Sequence, residues 1–120
     1  MNDAWNILVP GPFPSTNHSY GYRNGKMYKK AGVEQFQVMV AHITKLARPK
    51  GWEPADRIRV VYDFHLNRKA DCDNAMKAIN DAIAQALGVD DDHFLPCAQS
   101  KTMGVKEPFV EIRIENVDAA

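Results

Sequence analysis

The sequence predicts an α/β (α+β) domain, a mixed β-sheet with two main helices packed on it. Three observations predict it. Arg57 to Leu66 alternates with the period of a strand, placing Ile58, Val60, Tyr62, Phe64 and Leu66 on one face. Two stretches, about Val33 to Ala47 and Asp71 to Gly88, carry apolar residues at helical spacing. Shorter strand-like runs stand at both ends of the chain, so the order is strand, loop, helix, strand, helix and two strands.

The first strand is expected at Trp5 to Val9, stopped by Pro10-Gly11-Pro12. Residues 10–30 then form a long irregular segment in which Tyr20, Tyr22 and Tyr28 stand among Arg23, Lys26, Lys29 and Lys30. Loops of this length inside a compact domain are usually functional or mobile. Interleaved aromatics and cations suit stacking on bases and contact with phosphates. Asn24-Gly25 is also a strong type I′ turn signal, so a surface hairpin is expected there.

In the first helix Val33, Phe36, Val40, Ile43 and Ala47 share a face, and Arg48-Pro49 closes it, because proline disfavours helix in the residue before it. Lys50 to Ala55 reads as a turn, with Trp52 as a core or interface anchor. On the second helix Ala75, Met76, Ile79, Ala82, Ile83 and Ala86 make the buried stripe, while Asp73, Asn74, Lys77, Asn80 and Asp81 make the polar side. Gly88 stands where a left-handed cap belongs. Leu95–Met103 and Phe109–Ile114 are read as two strands joined into a hairpin through the turn at Gly104 to Pro108, with a polar tail fraying from Asn116.

At 120 residues the chain is expected to be a single domain spanning 1–120. Its 15 basic and 15 acidic residues cancel, a balance that counts against a nucleic-acid binder. Net charge hides segregation, however. The first 69 residues hold eleven Lys and Arg against five Asp and Glu, enough for a basic face. Two cysteines, Cys72 and Cys97, exclude a zinc or disulfide framework and fit a reducing cytoplasm. No apolar run reaches membrane-spanning length and the first residues lack signal-peptide character, so a cytoplasmic protein with no membrane partner is expected.

The chemistry concentrates between Arg68 and Asp92. Asp71 reads as the cap of the second helix, Asp73 lies in its first turn, and Lys77 is the i+4 neighbour of Asp73. Taken singly, these are ordinary helix-end residues, and Asp73–Lys77 would be a weak exposed ion pair. Asp90-Asp91-Asp92 changes that reading, because acids just past a helix sit at the wrong end of its dipole. If the chain returns them to Asp71 and Asp73, the cluster repels unless a cation lies in it. Mg²⁺ keeps several waters and needs few protein ligands, so three carboxylates suffice. Such a centre suits phosphodiester hydrolysis, with Lys77 orienting water or neutralising charge on the phosphate. Arg68 and Lys69, just before the acids, are placed to grip flanking phosphates.

The pattern Asp71-x-Asp73-Asn74-x-x-Lys77, a helix and then Asp91-Asp92 resembles the RusA family of Holliday junction resolvases of phages and prophages. The resemblance extends to the chain length, to Pro12-Phe13-Pro14-Ser15-Thr16-Asn17 and to the order of the other elements. It implies a Mg²⁺-dependent homodimeric endonuclease, with Mn²⁺ as a substitute, that nicks two strands of a four-way DNA junction symmetrically in a bacterial host's cytoplasm. The family's catalytic acids fall on Asp71, Asp73 and a later aspartate. Asp92 fits the count best, with Asp90 and Asp91 close by, and the essential lysine falls on Lys77. Metal ligands would be Asp71, Asp73, Asp92 and Asp91. DNA contacts would come from Arg68, Lys69 and Asn74 and from Arg23, Lys26, Lys29 and Lys30. A two-fold junction asks for two sites about a two-fold axis, which Trp52 and the apolar remainder of the first helix are candidates to build.

Two departures stand out: the net charge is zero, and the basic run before the first acid is only Arg68-Lys69. Three rival readings follow the same residues. A metal-dependent nucleotide phosphohydrolase would need a deep pocket, a non-catalytic branched-DNA binder would not need the acids, and a purely structural interaction module would gain stability when the acids were neutralised and lose no function.

Overall fold

The computed structural model describes residues 4–13, 20–23, 26–29, 31–67 and 73–117, and for 20–23, 26–29, 31, 73 and 74 the backbone alone. Its centre is a four-stranded mixed sheet in the order β1-β6-β4-β5. β1 is Trp5–Pro10, β4 is Ile58–Leu66, β5 is Phe94–Met103 and β6 is Phe109–Asn116. A separate antiparallel pair, β2 (Tyr20–Arg23) and β3 (Lys26–Lys29), makes the expected hairpin. Its turn residues Asn24 and Gly25 lie outside the described residues. Two helices, α1 (Ala31–Ala47) and α2 (Asp73–Leu87), cover one face of the large sheet. α1 packs on the β1 side, α2 on the β5 side, and the two touch each other. None of the helices is long and apolar enough to cross a membrane among the described residues.

Strand alternation builds the core. Trp5, Ile7 and Val9 of β1 are buried between exposed or half-buried neighbours, as are Val110, Ile112 and Ile114 of β6. β4 lies between β6 and β5, and Ile58, Val60, Tyr62 and Phe64 have no exposed surface. Tyr62 and Phe64 stack at 5.7 Å, and Phe13 closes over Phe64 edge-on. From α2 come Ala75, Ala78, Ile79, Ala82, Ile83 and Leu87, so the predicted stripe meets the sheet. Burying one such isoleucine is worth about 1.5–3 kcal/mol. Met76 and Ala86 of that stripe are only half-buried.

Two expectations are corrected and one alternative is decided. The last two strands do not form a hairpin: β5 runs parallel to β4, and β6 inserts antiparallel between β4 and β1. Burial decides this. β6 offers three fully buried branched side chains and takes an inner position, whereas β5 buries only Phe94 and takes the edge. The tail expected to fray from Asn116 is held at its start, and residues 118–120 lie outside the described residues. The Asn116 Oδ1 accepts from the Ala55 amide and its Nδ2 donates to the Glu53 carbonyl, each at 2.9 Å, tying the end of β6 to the loop before β4. Trp52 takes the core alternative: it is buried edge-on against Trp5, with the Arg48 guanidinium donating to its carbonyl.

Candidate active site

The turn after α2 sets the geometry. Gly88 has φ 73°, the left-handed conformation that glycine adopts without a side-chain clash. Its amide bonds back to the Gln85 carbonyl and the Val89 amide to that of Ala84, the pair of bonds that defines a Schellman cap. The helix therefore ends abruptly, and Val89 packs against the core. The chain reverses through Asp90 into a single 3₁₀ turn, Asp91–His93, closed by His93 N–H donating to the Asp90 carbonyl. Buried Phe94 then anchors the start of β5.

This reversal brings the acids back alongside α2. A cleft of about 480 Å³ opens between α2 and the start of β5. Lys77, Asn80 and Asp81 line it from the helix, Asp91 and Asp92 from the 3₁₀ turn, and Met76, Phe94 and Pro96 form its apolar wall. Lys77, Asp91 and Asp92 are exposed, so the ammonium and both carboxylates are open to a large substrate. His93 lies behind, its Nε2 3.9 Å from Asp92. Asp90 is exposed at the cap of the 3₁₀ turn and is not part of the lining.

A hydrogen bond ties the cleft to the sheet. The hydroxyl of Tyr62, on β4, donates to Oδ1 of Asn80. Burial pushes the Tyr62 phenol far above its ordinary value, and the nearby Asp81 carboxylate raises it further. The hydroxyl is thus a permanent donor.

The predicted site residues divide accordingly. Lys77, Asp91 and Asp92 meet in one cleft. Asp73 is the first residue of α2 and Asn74 the second, one turn before Lys77, with side chains outside the described set. Asp71, Arg68, Lys69, Lys30 and Cys72 lie outside the described residues altogether. Arg23, Lys26 and Lys29 are on the hairpin, where the register sets Arg23 opposite Lys26 and Lys29 opposite Tyr20. His65 is a packed strand histidine, stacked on Phe109 at 4.3 Å and 3.0 Å from Glu111. It falls out of phase with the buried Phe64 and Leu66, on the face of the sheet away from the helices.

Asn80 and Asp81 stand out in sequence only as polar-side residues at i+3 and i+4 from Lys77. Tyr62 reads as plain core. The exposed donors of the cleft are oxygen atoms with no thiolate or imidazole in the lining, a set that fits a hard cation such as Mg²⁺. Among the described residues no three His, Cys, Asp or Glu groups form a metal cage, so Asp91 and Asp92 are the described share of the expected set.

A family model described as "Endodeoxyribonuclease RusA" matches residues 10–115 of the chain. No curated protein matches it.

Proposed function

Because the chain belongs to the RusA family of endodeoxyribonucleases, we propose that it is a Mg²⁺-dependent, structure-specific nuclease. It would resolve four-way DNA junctions by paired symmetric nicks in recombination and repair. The observation that carries this reading is the cleft in which Lys77 faces Asp91 and Asp92 beside α2, the helix that Asp73 begins.

Asp71, Asp73 and Asp92, with Asp91 beside them, would hold the metal. When bound it supplies activation of water and charge stabilisation at the leaving oxygen. The chain's own residues do the rest. The Lys77 ammonium, a compact point charge, attracts the phosphate to be cut and offsets the charge that builds on it. Arg68, Lys69 and Asn74 would hold the phosphates next to the cut. The β2–β3 hairpin would give a second contact, since its two short strands carry Arg23, Lys26 and Lys29. Two copies about a two-fold axis would match the symmetry of the junction.

The test is cleavage of a synthetic four-way junction beside a linear duplex of the same sequence, with Mg²⁺, with Mn²⁺ and with chelator, for the native chain and for Asp73→Asn. Paired nicks confined to the junction, and lost with chelator and with the substitution, are expected. Tight junction binding without nicking would replace this reading with a non-catalytic binder. Hydrolysis of small nucleotides without action on DNA would replace it with a phosphohydrolase.

A further inference from the structure

Asn80 lines the cleft but has no part in the chemistry above. It follows Lys77 by three residues, the spacing that sets two side chains on one helical face. Its Oδ1 accepts the Tyr62 hydroxyl, and Tyr62 has no exposed surface and sits on the central strand. With the carbonyl end of the amide engaged this way, the other end is the NH₂ group, which has two donors and no acceptor. The amide is therefore oriented before anything binds.

Lys77 and Asn80 then offer different things to one anion. An ammonium on a flexible four-carbon stem attracts strongly but directs weakly. A short amide held by a buried hydroxyl directs well and loses little freedom on binding. A neutral donor has a further merit here. Asp81, Asp91 and Asp92 already load the cleft with negative charge, so a phosphate needs donors as well as charge balance to settle at one place. A hydrogen bond from an amide to an anionic oxygen is shorter and stronger than one to a neutral acceptor.

We propose that Asn80 is a DNA-binding residue, donating from Nδ2 to a non-bridging oxygen of the phosphodiester that enters the cleft beside Lys77, and that Tyr62 is its positioning residue. This rests on the reading of the cleft as a nuclease site. Asn80 directs the strand, and Tyr62 acts only through Asn80.

The experiment compares the native chain with Asn80→Ala, Asn80→Asp, Tyr62→Phe and the double variant Tyr62→Phe/Asn80→Ala, on a four-way junction with saturating Mg²⁺, each first checked for native melting. Asn80→Ala is expected to raise KM about tenfold or more with kcat little changed, the scale of a lost hydrogen bond to a charged group. Asn80→Asp should raise it further by setting a carboxylate against the phosphate. Tyr62→Phe should shift KM the same way by less, and the double variant should be no worse than Asn80→Ala.

Junctions with one neutral methylphosphonate at each position around the cut locate the contact. At one position the replacement should weaken the native chain and leave Asn80→Ala unaffected. An unchanged KM for Asn80→Ala, independent effects of the two substitutions, or no such phosphate would overturn the proposal while native cleavage left the nuclease reading standing. A native chain that neither bound nor cut DNA would overturn both.

Discussion

The buried Gln37 side chain of α1 donates from Nε2 to the backbone carbonyl of Ala78 in α2 at 3.0 Å. That carbonyl belongs to the residue after Lys77, so the bond fixes the helix that carries the cleft against its neighbour. Gln37→Ala removes the donor and leaves a void between the helices. Its expected cost is about 1–3 kcal/mol, read as a lower denaturation midpoint.

Gly88 offers a cleaner test of how the acids are positioned. An added Cβ there meets nothing within 4 Å, so Gly88→Ala perturbs only the backbone conformation. Holding a side-chain-bearing residue at this φ costs about 1–2 kcal/mol. Stability should fall by that amount. Cleavage should fall more than stability does, because the same turn aims Asp91 and Asp92 at Lys77.

The three consecutive aspartates should separate by function. Asp90 stands outside the cleft that Asp91 and Asp92 line. Asp92→Asn is expected to lower kcat by about a hundredfold or more, the scale of losing a preorganised charge at a reacting centre. Asp90→Asn should cleave like the native chain. Equal losses in the two variants would show that the geometry of the turn does not select between them.

The open face of the sheet has its own pH signature. Glu115 accepts from Arg59 at 3.0 Å with one oxygen and from Arg113 at 3.1 Å with the other. The Arg59 hydrogen bond, joined by Arg113, holds its carboxyl below the ordinary 4.5. A carboxylate lowered in the folded state adds stability above its unfolded pKa, and that part is lost as pH falls through the folded one. Denaturant melts taken from pH 6 downward should therefore show native stability falling more steeply below 4.5 than that of Glu115→Gln. Parallel curves would rule the contribution out.

In the core, Ile83 has no exposed surface, and no charged group need be disturbed to shorten it. Ile83→Ala should cost about 2–5 kcal/mol as transfer and cavity contributions add. The loss is measurable by thermal or denaturant unfolding.

Much of this protein was determined by the sequence alone, because much of it is local. A period of two in β4 and of 3.6 in α2 decides element type within a few residues, whatever lies beyond. The Gly88 stop and the polar face shared by Lys77 and Asn80 follow from the same local rules. The family, too, was legible in a motif within one helix and the turn after it. Sheet order was not. β6 lies between β1 and β4 while β5 is left at the edge, because strands compete for inner positions and that contest depends on how many apolar side chains each one brings. Asn116 failed as a predicted frayed end because its partners, Glu53 and Ala55, are some sixty residues away. Tyr62 and Asn80 are 18 residues apart and on different elements, so only the packing of α2 over β4 could bring hydroxyl to amide. The same packing, with the reversal at Gly88, set Asp91 and Asp92 in the cleft and left Asp90 outside it. Three identical residues in a row differ only in the direction the folded backbone gives them.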